Sequence, residues 1–348
     1  MAEVVVLSQH LALLACHHIL IILVGSQREN LYIPPCTINH YTQGMHLNRI
    51  NEGIAAFLEQ APATKKPPLL VVLGPTASGK TALSLELAER WNGEVISADS
   101  RQVYRGMDIG TDKISAAERR SIAHHLLDVA DPSERFTVVD FMRLARAAIA
   151  DIHARGKLPM LVGGTGLYIN ALTENFKIPE SGASDEIRKK LNDDLREHGA
   201  EWLHDELKKV DPENAKKIHP HSYVYVLRAL EIFYATGMPK KDQKGVPEFE
   251  VLRIGLRWLR EVLATRIAAR VEAQFERGLL DEVRGLLAQG YDKNCAAMRT
   301  LGYRETIAHL DGKISLEEAK KLIIKNTEKF SKRQMTWFKR DPRIEWVV

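Results

Sequence analysis

The octapeptide Gly74-Pro75-Thr76-Ala77-Ser78-Gly79-Lys80-Thr81 satisfies the pattern G-x-x-x-x-G-K-[ST] at every specified position. Its chemistry follows from the residue types. Glycines let successive backbone N–H groups turn toward one centre, the helix that follows adds positive potential, and Lys80 contributes a mobile cation. The Thr81 hydroxyl is suited to a magnesium ion. The eight residues read as a cradle for a di- or triphosphate. Loops of this type usually hold ATP or GTP, and the hydrolases among them carry a second strand ending in a metal-binding aspartate. Here the obvious counterpart, Pro159-Met160-Leu161-Val162, runs into Gly163-Gly164-Thr165-Gly166 without an acid, and His125-Leu126-Leu127-Asp128 is a weaker candidate. An acid follows an earlier strand instead, in Ala98-Asp99-Ser100-Arg101-Gln102. Asp99 is expected at the carboxyl end of that strand, beside the phosphate loop, where open α/β sheets carry their sites. The same Asp-Ser pair suits a helix N-cap equally well. A carboxylate beside a phosphate cradle, without a hydrolase's metal strand, points to a transferase.

The elements that must position these residues are legible on both sides of the loop. Leu69-Leu70-Val71-Val72-Leu73 is a short continuous apolar run, the pattern of a strand buried on both faces of a parallel sheet. Leu83, Leu87, Ala88 and Trp91 mark an amphipathic helix after the loop. Further strands are predicted at 94–97, 126–129, 158–162, 251–258 and 343–348, with helical patterns such as 139–154 between most of them. Alternation of this kind predicts an α/β fold, a three-layer sandwich around a parallel sheet. Residues 178–250 break the rhythm. Ile187, Leu191 and Leu195, then Trp202, Leu203, Leu207 and Val210, predict helices and no strand. The expected organisation is a core from 65–177 and 251–348, carrying an all-helical insertion at 178–250.

Composition bounds the reading. The 348 residues are 27% charged and 45% hydrophobic, which excludes wholesale disorder and a polytopic membrane protein. A net charge of +4 permits a nucleic-acid partner without requiring one. Three cysteines, Cys16, Cys36 and Cys295, form no CxxC pair, so neither a disulfide scaffold nor a structural zinc site is expected and a reducing cytoplasm is the default. The run LALLACHHILIILV at 11–24 is too short to span a bilayer and lacks the basic flank of a signal peptide. Residues 1–64 are expected to be a poorly ordered extension, with Met45 a candidate start.

Several further segments carry a resemblance. Residues 74–81, 97–113 (SADSRQVYRGMDIGTDK), 124–132 (HHLLDVADP), 161–168 (LVGGTGLY), 297–305 (AMRTLGYRE) and 332–338 (KRQMTWF) resemble the tRNA dimethylallyltransferase family, in its order and spacing, across about 65–348. The resemblance implies a phosphate loop that holds dimethylallyl diphosphate rather than ATP. It implies Mg²⁺ as the cofactor and transfer of the prenyl group to N6 of adenine 37, in tRNAs reading codons that start with U. Lys80, the loop amides and a Mg²⁺ on Thr81 would stabilise the departing diphosphate. Asp99 matches the family's general base, and Ser100, Arg101, Gln102 and Thr165 match its adenine site and reaction centre. Arg266 and Arg270 lie four apart on one helix face, and by similarity Arg270, then Arg266, helps bind the diphosphate. Arg299, Thr300, Leu301, Gly302, Tyr303 and Arg304, with Val224 and Arg228 of the insertion, match tRNA-contacting segments. Nine lysines and arginines against two acids at 320–343, with Trp337 and Phe338 among them, fit an anticodon-stem surface. The insertion would clamp the anticodon arm, adenine 37 would be flipped from its stack, and the enzyme would act as a monomer.

Two stretches depart from the family pattern. Its usual Asn-Asp-x-x-Arg-x-x-Arg-Ala-Leu-Glu is here His221-Ser222-Tyr223-Val224-Tyr225-Val226-Leu227-Arg228-Ala229-Leu230-Glu231, and its Thr-Arg pair is Thr327-Glu328. Both bear on tRNA contacts and leave the phosphate chemistry untouched. Two rival readings remain: prenylation of free adenine nucleotides, and a nucleotide-switched RNA-binding protein without chemistry. The insertion and the basic C-terminal region oppose the first, and Asp99 opposes the second.

Overall fold

Five consecutive apolar residues can be fully buried only if both faces of their strand are covered, and Leu69 to Leu73 meet that condition with 0–1% exposure. They belong to the central strand of the computed structural model, which describes residues 35–178, 185–239 and 244–347. The chain divides into two units, Met1–Asn48 and Arg49–Val348. Helix α1 spans Pro35–Thr64, strand β1 Pro68–Leu73, helix α2 Lys80–Arg90, and strands β2 and β3 Gly93–Ser97 and His124–His125. Then come α3 (Val138–Ala154), β4 (Leu158–Gly163) and α4 (Gly166–Thr173), followed by α5 (Asp185–Val210), α6 (Pro212–Lys217) and α7 (Tyr223–Thr236). The chain closes through β5 (Glu250–Leu256), α8 (Arg260–Glu276), α9 (Leu279–Ala288), α10 (Tyr303–Leu310), α11 (Leu316–Phe338) and β6 (Ile344–Val347).

The six strands form one sheet in the order β3-β2-β4-β1-β5-β6, every neighbouring pair parallel. This is the expected α/β architecture. Because β4 lies between β1 and β2, a crevice opens beyond the carboxyl ends of β1, β2 and β4. All three site-bearing turns leave the sheet there: 74–81 after β1, 98–102 after β2 and 164–165 after β4. Below them the core packs Ile96, Phe141, Ile149, Leu161 and Tyr168 against β1, with Phe141 and Tyr168 stacked at 4.3 Å. Helix α3 is started by a capping box in which Thr137 and Asp140 exchange hydrogen bonds, and Ser315 and Glu318 do the same for α11.

Two expectations need correction. The strand predicted at 126–129 is only His124–His125, because Leu126 and Asp128 adopt φ of 64° and 58° and so leave the extended conformation a ladder requires. Nor is the whole stretch up to residue 64 a poorly ordered extension. In the Arg49–Val348 unit, residues 49–64 are helical, Ile54 is fully buried, and Asn51 Oδ1 accepts from Trp91 Nε1 at 2.8 Å. Residues 1–34 of the expected extension, with the apolar run, lie outside the described residues. Truncating Ile54 to alanine should therefore cost about 2–5 kcal/mol of stability. A urea midpoint indistinguishable from the parent's would show that the helix contributes nothing to the fold.

The insertion is helical as predicted. Helix α5 is broken at Gly199 (φ 86°), and α5 to α7 enclose their own core of Leu191, Leu203, Leu207, Val226 and Leu230. Among the described residues, no helix is long and apolar enough to cross a membrane.

Candidate active site

The turn after β1 takes its shape from backbone conformations that most side chains avoid. Gly74 has φ 151°, and a Cβ there would lie 2.6 Å from the Leu256 carbonyl oxygen, so only glycine lets β1 and β5 leave the sheet this closely. Ala77 and Gly79 have φ of 61° and 92°. The loop is then braced from three directions. Trp258 Nε1 donates to Ser78 O at 2.9 Å, Arg266 Nε to Ala77 O at 2.8 Å, and Thr76 N to Gln334 Oε1 at 2.9 Å. Gln334 also donates to Gly164 O at 2.9 Å, so one buried side chain of α11 ties the β1 and β4 turns together.

These turns open into a cavity of about 1150 Å³. Of the phosphate-loop residues, Thr76, Ala77, Ser78, Gly79, Lys80 and Thr81 line it, whereas Gly74 and Pro75 shape the loop from behind. Nine lysines and arginines line the same space against two acids, Asp99 and Asp112. Such a wall is built for a polyanion. Lys80 Nζ donates to Pro75 O at 2.7 Å. Burial of its ammonium lowers its pKa to about 8, while the negative charges of Asp99 and Asp112 resist the fall. Arg270 reaches the loop through Nη1 to Thr76 Oγ1 at 2.7 Å. Arg266 lies over the Trp258 ring at 5.0 Å, and burial lowers its pKa too. Both arginines thus face the loop. Among the described residues Ser78 Oγ and Thr300 Oγ1 are buried without a hydrogen-bond partner, and both residues line the cavity. Unpaired buried hydroxyls are costly unless a ligand satisfies them.

Asp99 does not cap a helix. Its Oδ1 accepts from Arg101 N at 2.8 Å and Gln102 N at 3.4 Å, fixing a turn, and among the described residues Oδ2 has no hydrogen-bond donor. The carboxylate therefore presents one committed and one available oxygen to the cavity. Thr165 Oγ1 accepts from Ser100 N at 3.0 Å, holding the β2 and β4 turns side by side. Gln102 accepts from Ser97 Oγ at 3.1 Å. The weaker metal-acid candidate, Asp128, is ion-paired with Lys113 at 2.6 Å and lies outside the cavity.

The residues predicted to touch tRNA divide. Ser100, Arg101, Gln102, Arg299, Thr300, Leu301, Gly302 and Arg304 line the cavity with the phosphate loop. Val224 and Arg228 stand apart on α7, where Val224 is exposed and Arg228 pairs with Glu231 at 2.9 Å. Tyr303 is corrected from a surface contact to a core residue. It is fully buried, packed against Gly110, with its hydroxyl on Glu282 at 2.5 Å. Sequence reasoning assigned no role to Gln334, Asp112, Gln274 or Arg277, all of which line the cavity. Gln334 and Asp112 do lie in segments singled out for their resemblance. Asp112 bridges Arg270 (3.5 Å) and Arg277 (2.7 Å).

Residues 102–341 match the IPP transferase family. The chain belongs to the IPP transferase family. A relative from Geobacter metallireducens named tRNA dimethylallyltransferase is 50% identical over 288 residues, covering 81% of this chain and 93% of the relative. Among solved structures, the full-length tRNA isopentenylpyrophosphate transferase of Bacillus halodurans is 45% identical with a TM-score of 0.61, covering 81% of this chain and 90% of that one. A eukaryotic dimethylallyltransferase acting on tRNA is 33% identical with a TM-score of 0.68, covering 78% of this chain and 70% of that one. Prenylation of free nucleotides finds no support among these IPP transferase relatives.

Proposed function

We propose that this chain is a transferase that moves the dimethylallyl group of dimethylallyl diphosphate to N6 of adenine 37 in tRNAs reading codons that start with U. The products are N6-(dimethylallyl)adenosine and diphosphate. The observation that carries the reading is the continuity of one basic cavity, from the phosphate loop past Asp99 to the 299–304 segment. A diphosphate fits at one end and a flipped-out base between the two, with N6 next to the available oxygen of Asp99. The C1–O bond of the donor breaks as N6–C1 forms. The electron pair leaves with diphosphate, held by Lys80, Arg270, Arg266 and the loop amides, and the N6 proton passes to Asp99.

Among the described residues no cluster of three His, Cys, Asp or Glu could cage a metal. Mg²⁺ needs no such cage, because it keeps most of its waters and binds through substrate phosphates with few protein ligands. Thr81, exposed on the cavity wall, would supply the hydroxyl ligand, and the ion would neutralise charge on the diphosphate. The three-helix insertion, with Tyr223, Val224 and Tyr225 exposed at the start of α7, would clamp the anticodon arm. In this reading the enzyme works as a monomer in the cytoplasm, where its acceptor is.

The test combines purified protein, Mg²⁺, dimethylallyl diphosphate and an unmodified tRNA with adenine at 36 and 37, followed by digestion and mass measurement of the nucleosides. A gain of one C5H8 unit on adenosine is expected. Diphosphate binding without any gain on tRNA would overturn the acceptor assignment.

A further inference from the structure

Residues 110–112 line the cavity, and the peptide groups of residues 108–110 that lead into them are gripped from both sides. Glu282 of α9 accepts through Oε2 from Asp108 N (2.9 Å) and Ile109 N (2.6 Å), and through Oε1 from Gly110 N (3.0 Å) and the Tyr303 hydroxyl (2.5 Å). From α8, the buried Gln274 donates through Nε2 to Ile109 O at 3.0 Å and Gly110 O at 3.1 Å. A Cβ at Gly110 would lie 2.4 Å from the Tyr303 ring, so the turn is packed as tightly as it is hydrogen-bonded. The next two residues face the chemistry. Thr111 O accepts from Arg270 Nη2 at 3.4 Å and from Gln102 Nε2 at 3.3 Å. Asp112 O accepts from the same Gln102 nitrogen at 3.3 Å, and the Asp112 carboxylate pairs with Arg270 and Arg277.

We propose that Glu282 is a positioning residue for prenyl transfer: by fixing the 108–110 turn, it holds Thr111 and Asp112 where they orient Arg270 toward diphosphate and Gln102 toward adenine. Glu282 itself does not line the cavity. It acts through the groups it holds, the turn above all. The adenine half of this inference rests on the tRNA-prenylation reading, whereas the diphosphate half stands on the phosphate loop.

Glu282→Gln keeps the shape and turns an NH2 group against donors that need an acceptor, so the turn is released at one oxygen. By Coulomb attraction alone, neutralising an acid would tighten binding of an anion; weaker binding therefore reports displaced groups rather than changed charge. The measurement is calorimetric affinity for inorganic diphosphate with Mg²⁺, together with the KM for tRNA and the thermal midpoint. Expected is a rise of about tenfold in the diphosphate Kd and a raised KM for tRNA at a temperature well below the midpoint. Tyr303→Phe, which removes one of the four donors, should shift the same constants less, and the double variant no further than Glu282→Gln alone. An unchanged diphosphate Kd in Glu282→Gln, with only the midpoint lowered, overturns the proposal in favour of a purely structural role. Should Glu282→Gln fail to fold, Glu282→Asp, which draws the carboxylate one methylene back from the three turn amides, takes its place, and an unchanged diphosphate Kd there overturns the proposal. A parent protein that binds diphosphate without prenylating tRNA refutes the functional reading and leaves the diphosphate comparison intact.

Discussion

Asp99→Asn slows prenyl transfer by about 10²- to 10⁴-fold, the range general-base catalysis supplies, and leaves tRNA affinity nearly unchanged. Asparagine is the informative substitution because Asp99 does two things. Its Oδ1 fixes the turn through Arg101 N and Gln102 N, and an amide oxygen can go on accepting from both. Its other oxygen, which has no hydrogen-bond donor among the described residues, is the one proposed to take the N6 proton, and an amide NH2 there cannot take a proton. Alanine would remove turn and base together and confound them. The exocyclic amine of adenine is a weak nucleophile because its lone pair is delocalised into the ring, so losing the base falls on the chemical step. Single-turnover rates at saturating tRNA, with binding followed separately by filter retention, separate the two effects. Parental turnover in Asp99→Asn would remove this carboxylate from the chemistry. A second readout comes with the same variant: the Asp99 charge supports the proton on Lys80, so Asp99→Asn should also weaken donor binding at alkaline pH.

The sequence and the structure agree where the signal is local. The buried run of β1, the loop after it and the helix that follows are each written in one contiguous stretch, and the structure places them at the centre of the sheet. Gly199 separates the two amphipathic stretches predicted from Ile187, Leu191 and Leu195 and from Trp202, Leu203, Leu207 and Val210. Disagreements arise where distant residues decide. Leu126 and Asp128 sit in a sequence that suits a strand, yet they turn to positive φ and Asp128 pairs with Lys113 fifteen residues earlier. The helix at 49–64 buries Ile50, Ile54 and Ala61 and gives its Asn51 to Trp91, forty residues on. Nothing in its own pattern announces that partner.

The site shows the same division. The phosphate loop and Asp99 are legible as site candidates because their residue types and their place after strands are local features, and Asp99 and Thr76 to Thr81 do line the cavity. The wall opposite them is not. Gln334 meets Thr76 across 258 positions and Arg270 meets Thr76 across 194, so no local rule reveals either contact. Tyr303 illustrates the limit of motif transfer. It lies between residues that line the cavity, but its helix turns the ring inward onto Gly110 and Glu282. Membership of a segment does not say which way a side chain points.

Lys80→Ala lowers kcat by about 10²- to 10³-fold, the cost of removing one group aimed at charge that develops in the transition state. In the proposed reaction an allylic C–O bond breaks with negative charge gathering on the diphosphate, and Lys80 is the cation carried by the loop proposed to hold it. Its pKa of about 8 adds a pH dependence whose sign is fixed. Burial disfavours the ammonium, so in the free enzyme the proton leaves as pH rises through about 8, and the loop then loses its cation. Donor kcat/KM, which reports the free enzyme, should be flat below that value and fall about tenfold per unit above it. The bound diphosphate restores the proton by Coulomb attraction, so kcat should hold to higher pH than kcat/KM. Lys80→Ala should lose this alkaline limb while keeping its low, level rate. Steady-state profiles from about pH 6.5 to 9.5 for both proteins make the comparison. If the parent's kcat/KM stays level across that range, or if Lys80→Ala keeps the same limb, another group must be the cation that meets the leaving diphosphate.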